Sequence, residues 1–263
     1  MDTVRPNMIL EVKDITKKFG GLHAVSQLSF HVQPHEILGI IGPNGSGKTT
    51  LFNLITGNYR PDEGQVWFEG KNITGHKTHD IVSKGIARTS QVTRIFSGQS
   101  ALENVIIGMH CRTKTGIWGA LTRGTRTRAE EAESREKAMQ LLKYLFLDHV
   151  VDRRSDLLSS AEQRRLMIGI ALASQPRLLL LDEPTAGMSF EETEQVVGII
   201  NDIRKQGTTI LLIEHNMKVS MGICDRLLAI ERGCRLAEGL PEMICSDPRV
   251  IEAYLGEDEA CSE

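Results

Sequence analysis

The run Gly42-Pro43-Asn44-Gly45-Ser46-Gly47-Lys48-Thr49 constrains this chain more than any other part of it. It fills the pattern G-x-x-x-x-G-K-[ST] without a mismatch. An apolar run, Ile37 to Ile41, precedes it, and a helix-like run, Thr50 to Ile55, follows. A strand, a glycine-rich loop and a helix in that order are the setting in which such a loop cradles phosphate. Glycine allows the curl that points successive N–H groups inward, and a helix N-terminus adds partial positive charge. In that setting Lys48 reaches the β- and γ-phosphates of a nucleotide, and the Thr49 hydroxyl ligates Mg²⁺.

The 263 residues leave room for one large α/β domain or two smaller ones. Alternation and β-branched content predict strands at Met8 to Ile15 and Val25 to Val32, around a Gly20-Gly21 turn. Glu36 to Ile41 is a buried strand, and Gln65 to Glu69 is another, after the turn Pro61 to Gly64. From about Ala101 to Leu147 the chain reads as helical. Its charged stretch Arg128 to Leu145 keeps Ala138, Leu141, Leu142 and Leu145 on one stripe. Beyond Leu157 helix and strand alternate: helix Glu162 to Ser174, strand Arg177 to Leu181 ending at Asp182, helix Phe190 to Lys205, strand Thr208 to Ile213 ending at Glu214-His215. Such alternation predicts an α/β P-loop NTPase core with a mostly parallel sheet, covered on both faces. An N-terminal antiparallel β part and a helical subdomain at about 92–175 complete a single domain over residues 8–256. Functional groups are expected at the carboxyl ends of the parallel strands. The acidic tail 257–263 is expected to fray.

Composition excludes several classes. The net charge of −3 gives no basic field for nucleic acid. Aliphatic runs such as Leu178 to Leu181 fall far short of the ~20 residues a membrane span needs. The opening Met1 to Pro6 has no apolar signal region, which predicts a cytosolic protein that meets a membrane only through a partner. Cys111, Cys224, Cys234, Cys245 and Cys261 include no C-x-x-C pair, so neither a zinc site nor a disulfide framework is indicated. Arg112 to Arg128 is basic, without an acidic residue, and holds three glycines. It reads as a solvated mobile loop, with contact to anionic headgroups or a membrane partner as the alternative.

Leu178-Leu179-Leu180-Leu181-Asp182-Glu183 reads as a buried strand that delivers two carboxylates to its tip. Asp182 suits Mg²⁺, and Glu183 suits a water attacking the γ-phosphate. These motifs, with Gln91, Leu158 to Arg165, Pro184 to Met188 and His215, come in one fixed order over nearly the whole chain. In that order they resemble the ATP-binding subunit of an ABC transporter. Ala87 to Gln91, Leu102 to Val105, Ala186-Gly187-Met188 and the long basic segment make the chain similar to the subunit of bacterial importers for branched-chain amino acids and related amides, including urea.

The resemblance implies a site. ATP and Mg²⁺ would be held by Gly42, Pro43, Asn44, Gly45, Ser46, Gly47, Lys48, Thr49 and Thr50, with Thr49, Gln91 and Asp182 toward the metal. Lys48, Gln91, Glu183 and His215 would take part in hydrolysis, with His215 at the γ-phosphate. Phe19 falls where the family stacks a ring on adenine, although a core phenylalanine explains it equally. The implied partners are a second ATP-binding subunit, a related chain, and two transmembrane permease subunits. An external substrate-binding protein takes part indirectly, and the assembly sits on the cytoplasmic face of the bacterial cell membrane.

The signature segment departs from the family. Leu158-Ser159-Ser160-Ala161-Glu162 stands where Leu-Ser-Gly-Gly-Gln or Leu-Ser-Tyr-Gly-Gln is usual. A left-handed backbone at Ala161 would cost roughly 1–2 kcal/mol. Glu162 brings a negative charge toward an anionic ligand. Ser159-x-x-Glu162 is also a helix capping box, which is compatible with Ser159 facing phosphate. Ser189 replaces the usual Asn or Asp. The alternatives to an active importer subunit are a catalytically weak partner with a degenerate signature, an exporter ATPase, and a soluble ATPase acting on ribosomes or on DNA.

Overall fold

The computed structural model describes residues 8–89, 95–110 and 125–260. In chain order, β1 (Leu10–Phe19), β2 (Leu22–Val32) and β3 (Ile37–Ile41) lead into helix α1 (Lys48–Ile55). Then come β4 (Glu63–Phe68), β5 (Lys71–Asn72), α2 (Thr78–Ser83), β6 (Ile86–Thr89), α3 (Ala101–His110), α4 (Thr125–Tyr144) and α5 (Ser160–Ala173). The C-terminal part holds β7 (Leu178–Asp182), α6 (Phe190–Lys205), β8 (Thr209–Ile213), α7 (Met217–Ile223), β9 (Arg226–Glu231), β10 (Cys234–Gly239), α8 (Pro241–Cys245) and α9 (Pro248–Ala260).

Two sheets result. One is antiparallel, in the order β2-β1-β4-β5. The other runs β10-β9-β3-β8-β7-β6, parallel except where β10 turns back on β9. The period-2 alternation of the parallel strands splits the core. Leu38, Ile40, Leu178, Leu180, Leu211 and Ile213 face α1 and the antiparallel sheet. Ile37, Ile41, Leu179, Leu181, Ile210 and Leu212 face the opposite layer, shared with residues of α3 to α6. Both faces are buried, which is why these strands read as unbroken apolar runs rather than alternating ones. The expected fold class is therefore found.

Several element boundaries differ by a few residues from those the sequence predicts, and three of the differences have a physical reason or bear on an expectation above. The first hairpin continues past Ile15 to Phe19, because bulges near Asp14 and Gln27, both at positive φ, break the alternation there. Helix α4 begins at Thr125, inside the segment that reads as a basic loop; residues 111–124 of that segment lie outside the described residues. Helix α9 continues to Ala260, although the acidic composition predicts fraying from residue 257. Its start is fixed by Pro248 and by Asp247, whose carboxylate accepts from the Arg249 N–H at 2.9 Å.

Candidate functional site: a glycine-rich loop facing an acid–histidine pair

Parallel register brings three strand ends level. Ile40 of β3 and Asp182 of β7 both pair with Ile213 of β8. The residues that follow are the loop from Gly42, the Asp182-Glu183 pair and Glu214-His215, so all three motifs emerge at one edge. A cavity of about 690 Å³ lies there, bounded by Phe19, the loop from Asn44 to Thr50, Glu183 and His215.

The loop is curled as its glycines require. Gly47 has φ 103°, and a Cβ on it would stand 2.3 Å from the Ala24 carbonyl oxygen. Lys48 is buried, and its Nζ donates to the carbonyls of Gly42 (2.5 Å) and Pro43 (2.7 Å). The lysine is thereby held along the loop rather than extended into solvent.

Glu183 adopts φ 49°, a left-handed backbone that costs a non-glycine residue on the order of 1–3 kcal/mol. Its surroundings over-determine it. Its N–H donates to Ile213 O at 2.9 Å, and its carbonyl accepts from Arg164 Nη1 at 2.7 Å. Its Oε1 lies 2.9 Å from His215 Nε2. Next to it, the buried Glu214 carboxylate accepts from both the N–H (3.0 Å) and the hydroxyl (2.7 Å) of Thr185, fixing the turn after β7.

Asp182 is buried and paired with Arg88, Nη2 to Oδ2 at 2.7 Å. Arg88 also donates to Asn53 of α1 at 2.6 Å. The β6–β7 register sets Arg88 opposite Leu180, two residues from Asp182 on the same face of the sheet. The sequence gives no sign of this arginine's role, because its partner lies 94 residues away.

Phe19 is 43% exposed, so it is not a core residue; its ring meets Tyr59 edge-on at 5.3 Å. Gln91 lies outside the described residues. Ser159 does not line the cavity. It is the N-cap of α5, and the capping box is formed: Ser159 N–H to Glu162 Oε2 at 2.7 Å, Glu162 N–H to Ser159 Oγ at 3.2 Å. Ala161 is buried in regular helix and is not among the described positive-φ residues, so the anticipated strain does not arise. The Glu162 charge is turned back on the chain, with Oε1 3.0 Å from His149 Nε2. Burial pushes that carboxyl up, but the hydrogen bonds from Ser159 and His149 outweigh it and leave it below the ordinary value. Ser189 likewise caps α6 in a box with Glu192.

A second cavity, about 720 Å³, opens near His35, Trp67 and Arg177. His35, Arg177 and Gly207 precede β3, β7 and β8, so it lies at the amino ends of the parallel strands, away from the motifs.

A family model described as ABC transporter matches residues 25–186, and a second, described as Branched-chain amino acid ATP-binding cassette transporter, matches residues 234–260. The chain is 40% identical to the high-affinity branched-chain amino acid transport ATP-binding protein BraF of Pseudomonas aeruginosa, over 95% of this chain and 98% of that one. Its identity to LivG of Escherichia coli, a protein of the same description, is 39% with the same coverage. Among solved structures, a nucleotide-free ATP-binding cassette superposes with TM-score 0.83 at 33% identity, covering 94% of this chain and 98% of that one. The ADP conformation of the cassette MJ1267 gives 0.82 at 32%, covering 95% and 99%. With these likenesses running almost end to end, the chain belongs to the ABC transporter family, as an ATP-hydrolysing cassette of the branched-chain amino acid group.

Proposed function

We propose that this chain is the ATP-hydrolysing subunit of an importer for branched-chain amino acids or related amides. In this reading residues 8–256 form one ATP-binding domain, with a helical subdomain at about 92–175. It docks on two permease subunits at the cytoplasmic face of the membrane, beside a second, related cassette. The observation that carries the proposal is the convergence of the phosphate loop, Glu183 and His215 on one cavity.

The loop N–H groups and Lys48 hold the β- and γ-phosphates, and Phe19 stacks on adenine. Glu183 orients the attacking water and accepts its proton as the γ-phosphoryl group transfers. His215, bonded to Glu183 Oε1, holds that carboxylate in place and contacts the γ-phosphate. Among the described residues the Thr49 hydroxyl lines the cavity and suits Mg²⁺, whereas the Asp182 carboxylate is paired with Arg88 at 2.7 Å and does not line it, so it would meet the ion through water; Gln91 would add an amide oxygen. Bound there, Mg²⁺ supplies charge neutralisation to the phosphates.

Ser159, which does not line the chain's own cavity, serves the site of the partner cassette in this reading, as the family resemblance implies. ATP joins the two surfaces, and hydrolysis removes the link. The motion reaches the permeases through the region of Gln91.

The test is purification of the complex from membranes and reconstitution in vesicles. ATP-driven uptake of labelled leucine, isoleucine or valine is expected, and it is expected to vanish with Lys48→Ala. A complex that hydrolyses ATP but moves none of the three refutes the cargo assignment. Purification without any membrane subunit refutes the transport role.

A further inference from the structure

We infer that the C-terminal helix α9 sets the shape of the phosphate loop through Tyr254, a positioning residue for nucleotide binding. Gly42 is the first residue beyond the β3–β9 ladder, whose last pair is Ile41 with Ala229. Gly42 is buried, so its N–H needs a partner inside the protein. The Tyr254 hydroxyl provides one, accepting that N–H at 2.8 Å across 212 residues of sequence.

The helix is built to deliver this contact. Asp247 and Pro248 start α9, and Val250 anchors it in the core at 2% exposure. Tyr254 follows Val250 by four residues and so lies on the same helix face. Arg249, Glu252 and Ala253 of the same helix line a cavity of about 590 Å³ together with Pro43 to Ser46.

The peptide groups of Gly42 connect Tyr254 to the phosphate-binding lysine. On one side the N–H is held by the hydroxyl. On the other, the carbonyl accepts from Lys48 Nζ at 2.5 Å. A Cβ at Gly42 would stand 2.1 Å from the Ile230 carbonyl oxygen, so no other residue fits at this position. The hydroxyl thus fixes the orientation of the peptide from which the loop departs, and with it the position of Lys48. The inference rests on the reading of residues 42–49 as the nucleotide's phosphate loop.

The experiment uses the full chain as wild type, Tyr254→Phe and Lys48→Ala. The Kd for Mg-ATP is measured by calorimetry, alongside thermal melting and hydrogen exchange of peptides covering residues 37–48. Tyr254→Phe keeps the ring and removes the hydroxyl that accepts from Gly42, so affinity is expected to fall about tenfold, the worth of one hydrogen bond to a buried group. Faster exchange confined to the loop peptides is expected with it. A Kd within twofold of wild type overturns the inference. Exchange that rises equally throughout the domain also overturns it, because the hydroxyl would then hold the fold and not the loop. If Lys48→Ala also leaves affinity unchanged, the phosphate-loop reading itself has failed. If Lys48→Ala weakens binding and Tyr254→Phe does not, only the role of Tyr254 is lost.

Discussion

Replacing Arg88 by Met should be among the most destabilising single changes near this site. The guanidinium and the Asp182 carboxylate meet at 2.7 Å with side chains only 8% and 6% exposed. Methionine fills a similar volume but leaves Asp182 a buried charge without its counter-ion. Removing one member of such a pair costs about 3–5 kcal/mol. The lost hydrogen bond to Asn53 and the lost contact of the guanidinium with the Phe52 ring, 5.3 Å from its centroid, act in the same direction. For a chain of this size, roughly 2–4 °C of melting temperature follows each kcal/mol, so the loss should be about 6–20 °C. The assay is thermal denaturation without nucleotide, run also on Asp182→Leu and on the double variant. An apolar pair in place of the ion pair should recover much of the loss, because the penalty belongs to the stranded charge. A shift below about 2 °C for Arg88→Met, or a double variant as unstable as the sum of its singles, would refute the reasoning.

Two shorter predictions concern backbone geometry. Glu162→Ala removes the capping box of α5 and should cost about 1 kcal/mol in urea unfolding, whereas Glu162→Gln keeps the acceptor and should cost less than about 0.5 kcal/mol. Gly47→Ala forces a left-handed alanine into the Ala24 carbonyl, so it should destabilise the fold by roughly 2 kcal/mol or more and abolish ATP binding measured by calorimetry.

Local signals make the central elements legible in the amino-acid order alone. The phosphate loop is read from glycine spacing, and β7 and β8 from aliphatic runs that end in acids. The predicted limits of α6 match the helix, whose start Ser189 and Glu192 fix as a cap. What stays hidden depends on distant partners. Nothing near Arg88 announces Asp182, and nothing near Tyr254 announces Gly42. The far end of the first hairpin is hidden by bulges that break its period. The sequence also overstates the damage at the signature segment: Ala161 sits in ordinary helix, and Glu162 is engaged by its own chain.

The central claim is that each nucleotide pocket is half on this chain and is completed by a second cassette. Its most direct test is the mass, by sedimentation, of a Glu183→Gln variant, alone and mixed with the cassette that co-purifies with it, with and without Mg-ATP. The account predicts a closed dimer that persists only with ATP present, because binding is retained while the γ-phosphate is not released. ATP bound with full occupancy by chains that remain monomeric would contradict it.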